Sequence, residues 1–384
     1  MANTLTGLIP TLYNALDVVS RELVGMIPAV SSDLTFERAA VGQTVTSPVA
    51  PAATATDITP GVTSPNDGDQ TIGSVSMTIT KARRVPVRWN GEEKRGLDNN
   101  GASYNVILRD QFAQAMRTLT NEIERDLAGL FSKASRAYGS PGVTPFATNL
   151  ADSAQVLKIL KDNGSPMMDH QLVMDTAAGA NLRTLLQLTS VDASGDTNLL
   201  RRGVLSSIHG FDLRESAQIF TPASGTGASA TTNTTGYAVG QTVIGLASAG
   251  TGTILAGDII TFAGDTNKYV VAVGDADVSN GGSITLAAPG LRKAIPASAT
   301  AITVSAASTR NMAFHRSAIA LATRAPALPA QGDVAADRMM VTDPVSGLTF
   351  EVAMYPQYRQ MQYEVSLAWG VAMIKPEHAA ILIG

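Results

Sequence analysis

The most persistent pattern in the chain is a three-and-four spacing of apolar residues over 103–138. Leu108, Phe112, Ala115, Leu119, Ile123, Leu127, Leu130 and Ala134 fall on one helical face. Arg109, Asp110, Gln114, Arg117, Asn121, Glu124 and Arg125 take the other side. Ser103 can cap the start, no proline interrupts the run, and Gly139 with Pro141 ends it. At 1.5 Å per residue such a helix reaches about 50 Å. One other element has that reach. Met361, Tyr363, Val365, Leu367, Trp369, Val371 and Met373 alternate with Gln362, Glu364, Ser366, Ala368, Gly370 and Ala372, and Pro376 closes the run. A strand over 360–374 also spans about 50 Å at 3.3 Å per residue. A rod laid along a ribbon of equal length predicts a plate rather than a ball. Plates expose much surface for their mass, so the pattern implies edges that copies of the chain cover.

Around these two elements the pattern is more local. Within 1–30 a short amphipathic helix is expected between Pro10 and Pro28, with Leu12, Leu16, Val19 and Leu23 facing Asp17, Arg21 and Glu22. Alone it would be marginal, so it docks on its own domain or on a neighbour. The stretch 41–70 is rich in Pro, Thr, Ser and Ala with almost no large apolar side chain, and reads as an extended arm or loop. Val75, Met77 and Ile79 alternate as a strand, Val85, Val87 and Trp89 as a second, and Asn90-Gly91 as the turn after it. Asp152 with Gln155 suggests a capping box on a helix through Lys161 that Gly164 closes. A buried strand over 170–175, a helix over 176–188 and a strand over 208–213 follow, an α/β alternation.

Composition changes at 221–308. Thirteen of these 88 residues are glycine, and Met, Glu, His and Trp are absent. Helix is disfavoured there, and strand-like pieces recur at 237–244, 258–262, 268–273, 283–286 and 301–304 between glycine-rich turns. This predicts a small all-β barrel or sandwich. It is inserted, because 314–323 returns to helical or mixed character. A proline-rich bend at 326–329 leads to a hairpin of 348–355, a turn at 356–359 and the long strand.

Charge and chemistry add little. The net charge of the 384 residues is −4 and there is no cysteine, which excludes disulfides, thiolate metal sites and cysteine nucleophiles. No secretory signal begins the chain and no apolar run of about 18 residues is long enough to span a membrane. Lys81, Arg83, Arg84 and Arg88 cluster beside Trp89. They suit phosphate or nucleic acid, or, as the better fit, a solvated face or an intersubunit one paired with a neighbour's Asp and Glu. His170, His209, His315 and His378 are scattered, with no partner three or four positions on. Gly250-Thr251-Gly252 has Leu255 where a dinucleotide fingerprint needs its third glycine. Asp275, Asp277 and Ser279 begin like a calcium loop, but Asn280 replaces the turn glycine and Leu286 the closing glutamate, so a plain turn is expected. Asn233-Thr234-Thr235 matches a glycosylation acceptor and means little without export. No catalytic, cofactor-binding or metal residue is assigned, and an enzyme is not expected.

The order of parts resembles the major capsid (coat) proteins of tailed bacteriophages with the Hong Kong 97 fold, more closely those of short-tailed phages of the P-twenty-two type, which carry an inserted β domain. The likeness rests on the helix at 103–138 and on DSAQVLKILKDNG followed by HQLVMDTAAGANLRTL (152–185). It rests equally on NMAFHRSAIALATRAPALP (311–329) and YEVSLAWGVAMIKPEHAAI (363–381). It implies an α+β fold with a long spine helix, a long β-hairpin and an inserted small all-β barrel. It further implies an N-terminal arm (1–40), an extended loop with a hairpin (41–101) and a peripheral domain with the spine helix (102–145). An axial domain in two parts (146–220 and 309–340) would flank the insertion (221–308), and the long hairpin with the C-terminus (341–384) would complete the peripheral domain. The implied function is self-assembly into hexamers and pentamers of an icosahedral procapsid and capsid around double-stranded DNA. That DNA would be enclosed without sequence-specific binding. A scaffolding protein and a portal are the implied partners, no cofactor or membrane is, and the virion, with the host cytoplasm during assembly, is the implied location. No Lys–Asn crosslinking pair can be placed. The other readings are the shell of a cellular nanocompartment and a virion adhesin or decoration protein that uses its β domain.

Overall fold

A computed structural model describes residues 21–33, 38–51, 53, 55–65, 67–99, 104–190, 205 and 207–384. Most of the expected N-terminal helix, including Leu12, Leu16 and Val19, and the Ser103 cap lie outside the described residues.

The spine helix is continuous over Tyr104–Ala128, 25 residues, or about 38 Å. Its inner face buries Ala115, Leu119, Ile123 and Leu127, the stripe expected from the spacing. It ends earlier than the pattern suggests. Gly129 opens a 3-10 turn, Gly129–Lys133, and the chain then leaves as the strand Arg136–Gly139. Ala134 and Ala137 are buried as the helical period requires, but Ala137 faces a sheet, opposite Ile381. Apolar residues at that spacing serve a helix end or a strand start equally well.

The long strand is Gln360–Met373. It forms a hairpin with Thr349–Gln357 through a two-residue turn, in which Arg359 adopts a φ of 54°. Lys81–Asn90 lies along one of its edges, from Lys81 opposite Trp369 to Asn90 opposite Gln360. The other edge takes Thr349–Gln357 and then Ile319–Arg324. Asp337–Thr342 and Ser31–Asp33 complete a six-stranded sheet. Val365, Leu367 and Trp369 join the spine helix in one apolar core, and the Trp369 indole donates to Asp126 Oδ2 at 2.9 Å. The small residues on the opposite face admit a second segment. A Cβ on Gly370 would stand 2.2 Å from the Thr78 carbonyl oxygen, and Met77 and Ile79 bury themselves there against Ala320, Ala322 and Ala368.

A second sheet of eleven strands carries the rest. Its middle is Ala379–Ile383, Arg310–His315, His170–Met174 and Phe211–Glu215, covered by the helices Ala151–Asp162 and Thr176–Thr184. Several expectations are corrected here. The region 314–323 is not helical: it is the strand Arg310–His315, a 3-10 turn Arg316–Ala318 and the strand Ile319–Arg324. Both strands are buried on both faces, so they show no alternation for the eye to catch. The helix over 176–188 breaks at Leu185 into Thr176–Thr184 and Leu186–Thr189. The strand over 208–213 is a hairpin of Ser207–Ile208 and Phe211–Glu215, turned by His209 and Gly210 with φ of 50° and 84°. Asp152 caps no helix; its Oδ2 accepts from the Phe146 N–H at 2.7 Å. Asn90-Gly91 is a helix start rather than a turn. Asn90 and Glu93 exchange side-chain and backbone hydrogen bonds at 3.0 and 2.7 Å, a capping box on Gly91–Asn99.

Within 221–308 the strands are Val243–Gly245, Ile259–Phe262, Lys268–Val273, Ser283–Leu286 and Ile302–Val304. Thr231 bridges Ala301 and Thr232 bridges Leu246, so the ladder closes on itself as a small barrel. Its interior holds Ile244, Ile260, Phe262, Val271, Ile284 and Ile302. The barrel is hydrogen-bonded to the body, with Lys268 and Tyr269 pairing Ala137 and Arg136.

Candidate functional site

A subunit that tiles needs surfaces its own chain does not cover. Thr44–Val49 and Gly73–Thr78 pair with each other in a two-stranded sheet separate from the two large ones. Between them the chain runs out over 50–72, and Ile58, Val62 and Ile72 stand 98, 106 and 71 % exposed. Water around three such side chains is a cost that an adjoining apolar surface removes. At its base this extension is fixed. Gly42 N–H donates to Ile79 O at 2.9 Å, Thr80 N–H to Trp369 O at 3.0 Å, and Gly370 leaves the room for the crossing.

The basic strand is tied largely to its own subunit. Lys81 Nζ meets Glu122 Oε1 at 3.2 Å and Asp126 Oδ1 at 2.8 Å, both on the spine helix. Burial pulls the Lys81 ammonium down, but the two carboxylates outweigh it and hold it above the usual lysine value. Arg83 Nε reaches Glu122 at 3.3 Å, and Arg84 reaches Glu364 of the long strand at 2.9 Å. Arg83 and Arg84 keep side chains that are 59 and 56 % exposed, and Arg88, exposed opposite Gln362, follows them along the strand. Trp89 is buried, donating to Gln111 Oε1 at 2.7 Å and meeting Tyr104 edge-on. Burial first, then Tyr363, pushes the Tyr104 phenol up to about 12. The structure therefore places Arg83, Arg84 and Arg88 at the surface and Lys81 and Trp89 against the spine.

The N-terminal segment is stapled to the body by groups the sequence does not single out. Glu124 is fully buried mid-helix. Its carboxylate accepts from the N–H groups of Gly25 (3.3 Å), Met26 (3.1 Å) and Ile27 (2.7 Å), and from Ser216 Oγ (2.6 Å). Burial pushes its carboxyl above the usual range, against the downward pull of those four donors. Arg21 grips Asp343 with contacts at 2.6 and 3.2 Å, Arg38 grips Glu351 at 2.7 Å, and Arg324 holds Asp33 at 2.7 Å. These pairs join residues separated by hundreds of positions, and no local signal announces them.

The histidines are not scattered in space. His170 and His315 have ring centroids 5.9 Å apart, and His315 and His378 6.4 Å. His209 stands apart, on Ser153 Oγ. Among the described residues no three His, Asp or Glu side chains are disposed to hold a metal ion. Asp275 and Asp277 form the plain turn expected: Asp277 caps the 3-10 turn Val278–Asn280, which Gly281 ends at a φ of 81°. No helix among the described residues is long and apolar enough to cross a membrane.

No protein-family model matches the chain, and no curated protein matches it. Among solved structures it superposes on the capsid of cyanophage P-SCSP1u with a TM-score of 0.50 and 10 % identity, over 100 % of this chain and 95 % of that one. A chain of Mycobacterium phage Che8 gives 0.48 and 13 % over 99 % and 98 %. The mature capsid of bacteriophage PhiM1 gives 0.47 and 13 % over 96 % and 89 %. At such identity the likeness is one of fold, and the cyanophage structure carries it. The fold is that of a tailed-phage major capsid protein.

Proposed function

We propose that this chain is a structural shell subunit, the major capsid protein of a tailed phage. It self-assembles into hexamers and pentamers that close an icosahedral procapsid and then a capsid around double-stranded DNA. A scaffolding protein directs assembly, a portal occupies one vertex, and the DNA is enclosed without sequence-specific contact. Assembly takes place in the host cytoplasm and the product is the virion. The role is mechanical rather than catalytic.

The observation that carries this reading is the exposure of Ile58, Val62 and Ile72 on the extension between Thr44–Val49 and Gly73–Thr78, side chains that find no cover among the described residues. A neighbour's body supplies that cover. The exposed Arg83 and Arg84 add ionic contacts that are individually weak. Many such contacts, repeated around a closed lattice, act together through effective concentration.

Sedimentation velocity of the purified full chain, alone and with its scaffolding protein, tests the reading. Fast-sedimenting assemblies far above the 39.8 kDa protomer are expected. A single monomer boundary under every condition, crowding included, overturns it.

A further inference from the structure

The chain passes between the two large sheets at crossings that lie side by side. Arg310–His315 belongs to the eleven-stranded sheet and Ile319–Arg324 to the six-stranded one, and the turn Arg316–Ala318 joins them. Gln360–Met373 and Ala379–Ile383 are divided in the same way, joined through a 3-10 turn Pro376–His378. The crossings bond each other: the N–H groups of Ile374 and Lys375 donate to Ala318 O at 2.7 and 3.2 Å. A third passage, from the spine helix into Arg136–Gly139, is tied to the same knot. Ser135 donates to Ala379 O through N–H and Oγ, at 2.9 and 2.6 Å. Asn163 Nδ2 reaches Glu377 O at 2.8 Å. His315 and His378 sit one on each crossing, and His170 lies directly opposite His315 in the sheet register.

We propose that His170, His315 and His378 form a pH-sensitive latch on the hinge between the two sheets: neutral rings hold the crossings together, and protonation loosens them. His315 Nδ1 caps the turn Arg316–Ala318, accepting from the Ser317 N–H at 3.3 Å and lying 2.8 Å from Ser317 Oγ. An imidazolium carries a hydrogen on both nitrogens and has no acceptor, so a proton there removes the cap. His378 Nδ1 is buried with no hydrogen-bond partner. His170 is 1 % exposed, its Nε2 3.0 Å from Ser165 Oγ.

The surroundings do not welcome a new cation. Lys161 lies on the side of the helix Ala151–Asp162, Arg316 follows His315, and Lys375 precedes the turn of His378. The two carboxylates at hand are already engaged, Asp169 by Arg316 at 3.5 Å and Glu377 by Lys375 at 3.8 Å. Burial first, and then neighbouring positive charge, hold His170 below the ordinary histidine value of 6.5. Burial leads for His378 also, outweighing the upward pull of Glu377. A base held below its unfolded value costs the fold nothing above about pH 6.5, and stability is withdrawn as pH falls below it, where the unfolded chain takes up protons the folded one refuses.

Hydrogen–deuterium exchange on the full chain at about pH 7.5 and about pH 5.5, corrected for intrinsic rates, tests the latch. Amides of 316–319 and 374–379 should exchange about tenfold faster at the lower pH, while 259–262 and 268–273 change little. In the double variant His315→Asn/His378→Gln the asparagine can still cap the turn but cannot titrate, so the acid response at the hinge should fall to the part that His170 alone supplies. An acid response undiminished in that variant overturns the proposal. Should the variant not fold, NMR titration of the wild-type rings decides: His170 and His378 are expected to titrate below the ordinary histidine value of 6.5. His170 and His378 rings that titrate at or above that value overturn it.

Discussion

Glu124 illustrates how much one side chain can decide. It occupies a position on the spine helix that the sequence pattern assigns to the polar face, yet it is completely buried, with three consecutive backbone N–H groups of another segment pointed at it. Replacing it by glutamine keeps the shape but turns one acceptor into a donor. The amide nitrogen should settle opposite the Ile27 N–H, the single donor on Oε1, leaving that donor unpaired at a cost of about 1–3 kcal/mol in urea unfolding. Faster proteolysis near residue 25 should accompany it. A variant as stable and as protected as wild type would show that the clamp does not hold the segment. Glu22 makes a different contribution. Arg117 hydrogen-bonds its carboxylate and draws its pKa from 4.5 to about 2. A carboxylate depressed in the fold stabilises fully above about pH 4.5 and loses that contribution as pH falls toward 2. Because the pair is partly solvated, Glu22→Gln should cost about 1 kcal/mol or less at pH 7, and the gap to wild type should close toward pH 2. A gap that widens on acidification would reverse the sign argued here. None of this was legible beforehand. Glu124 and its donors are about a hundred positions apart, and the meeting of His170, His315 and His378 is likewise made by strand pairing that no local window contains.

At the scale of elements, legibility followed exposure. Lys268–Val273 and Ser283–Leu286 were read with the right ends, because glycine turns bracket them. The long strand is legible because large residues alternate with small or polar ones along it, even where both faces are buried. Arg310–His315 and Ile319–Arg324 were misread because full burial on both faces removes the alternation. The spine helix was overrun by ten residues because Ala134 and Ala137 keep its period after the backbone has changed to a turn and a strand. Gly370 marks where the elements lock. Its missing side chain lets 78–79 cross the long strand, and an added Cβ would meet backbone atoms at 2.2, 2.9 and 3.1 Å. Backbone cannot swing aside as a flexible side chain does. Gly370→Ala should therefore destabilise the fold by about 1–3 kcal/mol and raise amide exchange at 77–80, even though alanine suits a strand better than glycine. An unchanged melting temperature with unchanged exchange would show that the crossing is not tight.

At the scale of the whole molecule, the helix of 25 residues and the strand of 14 span about 38 and about 46 Å, so the rod is shorter than the ribbon rather than its equal. On the proposed reading, a neighbour covers the extension between Thr44–Val49 and Gly73–Thr78, where Ile58, Val62 and Ile72 stand exposed. Aspartates placed on it at Ile58 and Val62, which are fully exposed among the described residues, should leave the protomer's thermal unfolding unchanged. The same aspartates would carry charge into whatever apolar surface a neighbour offers, and burying an unpaired charge is prohibitive. Negative-stain electron microscopy of purified wild-type chain and of I58D/V62D, under matched assembly conditions, puts the claim to its most direct test. The account predicts closed shells of uniform size from the wild type and unassembled protomers or small oligomers from the variant. Wild-type protein that forms no shells, or a variant that forms them as readily, would contradict it.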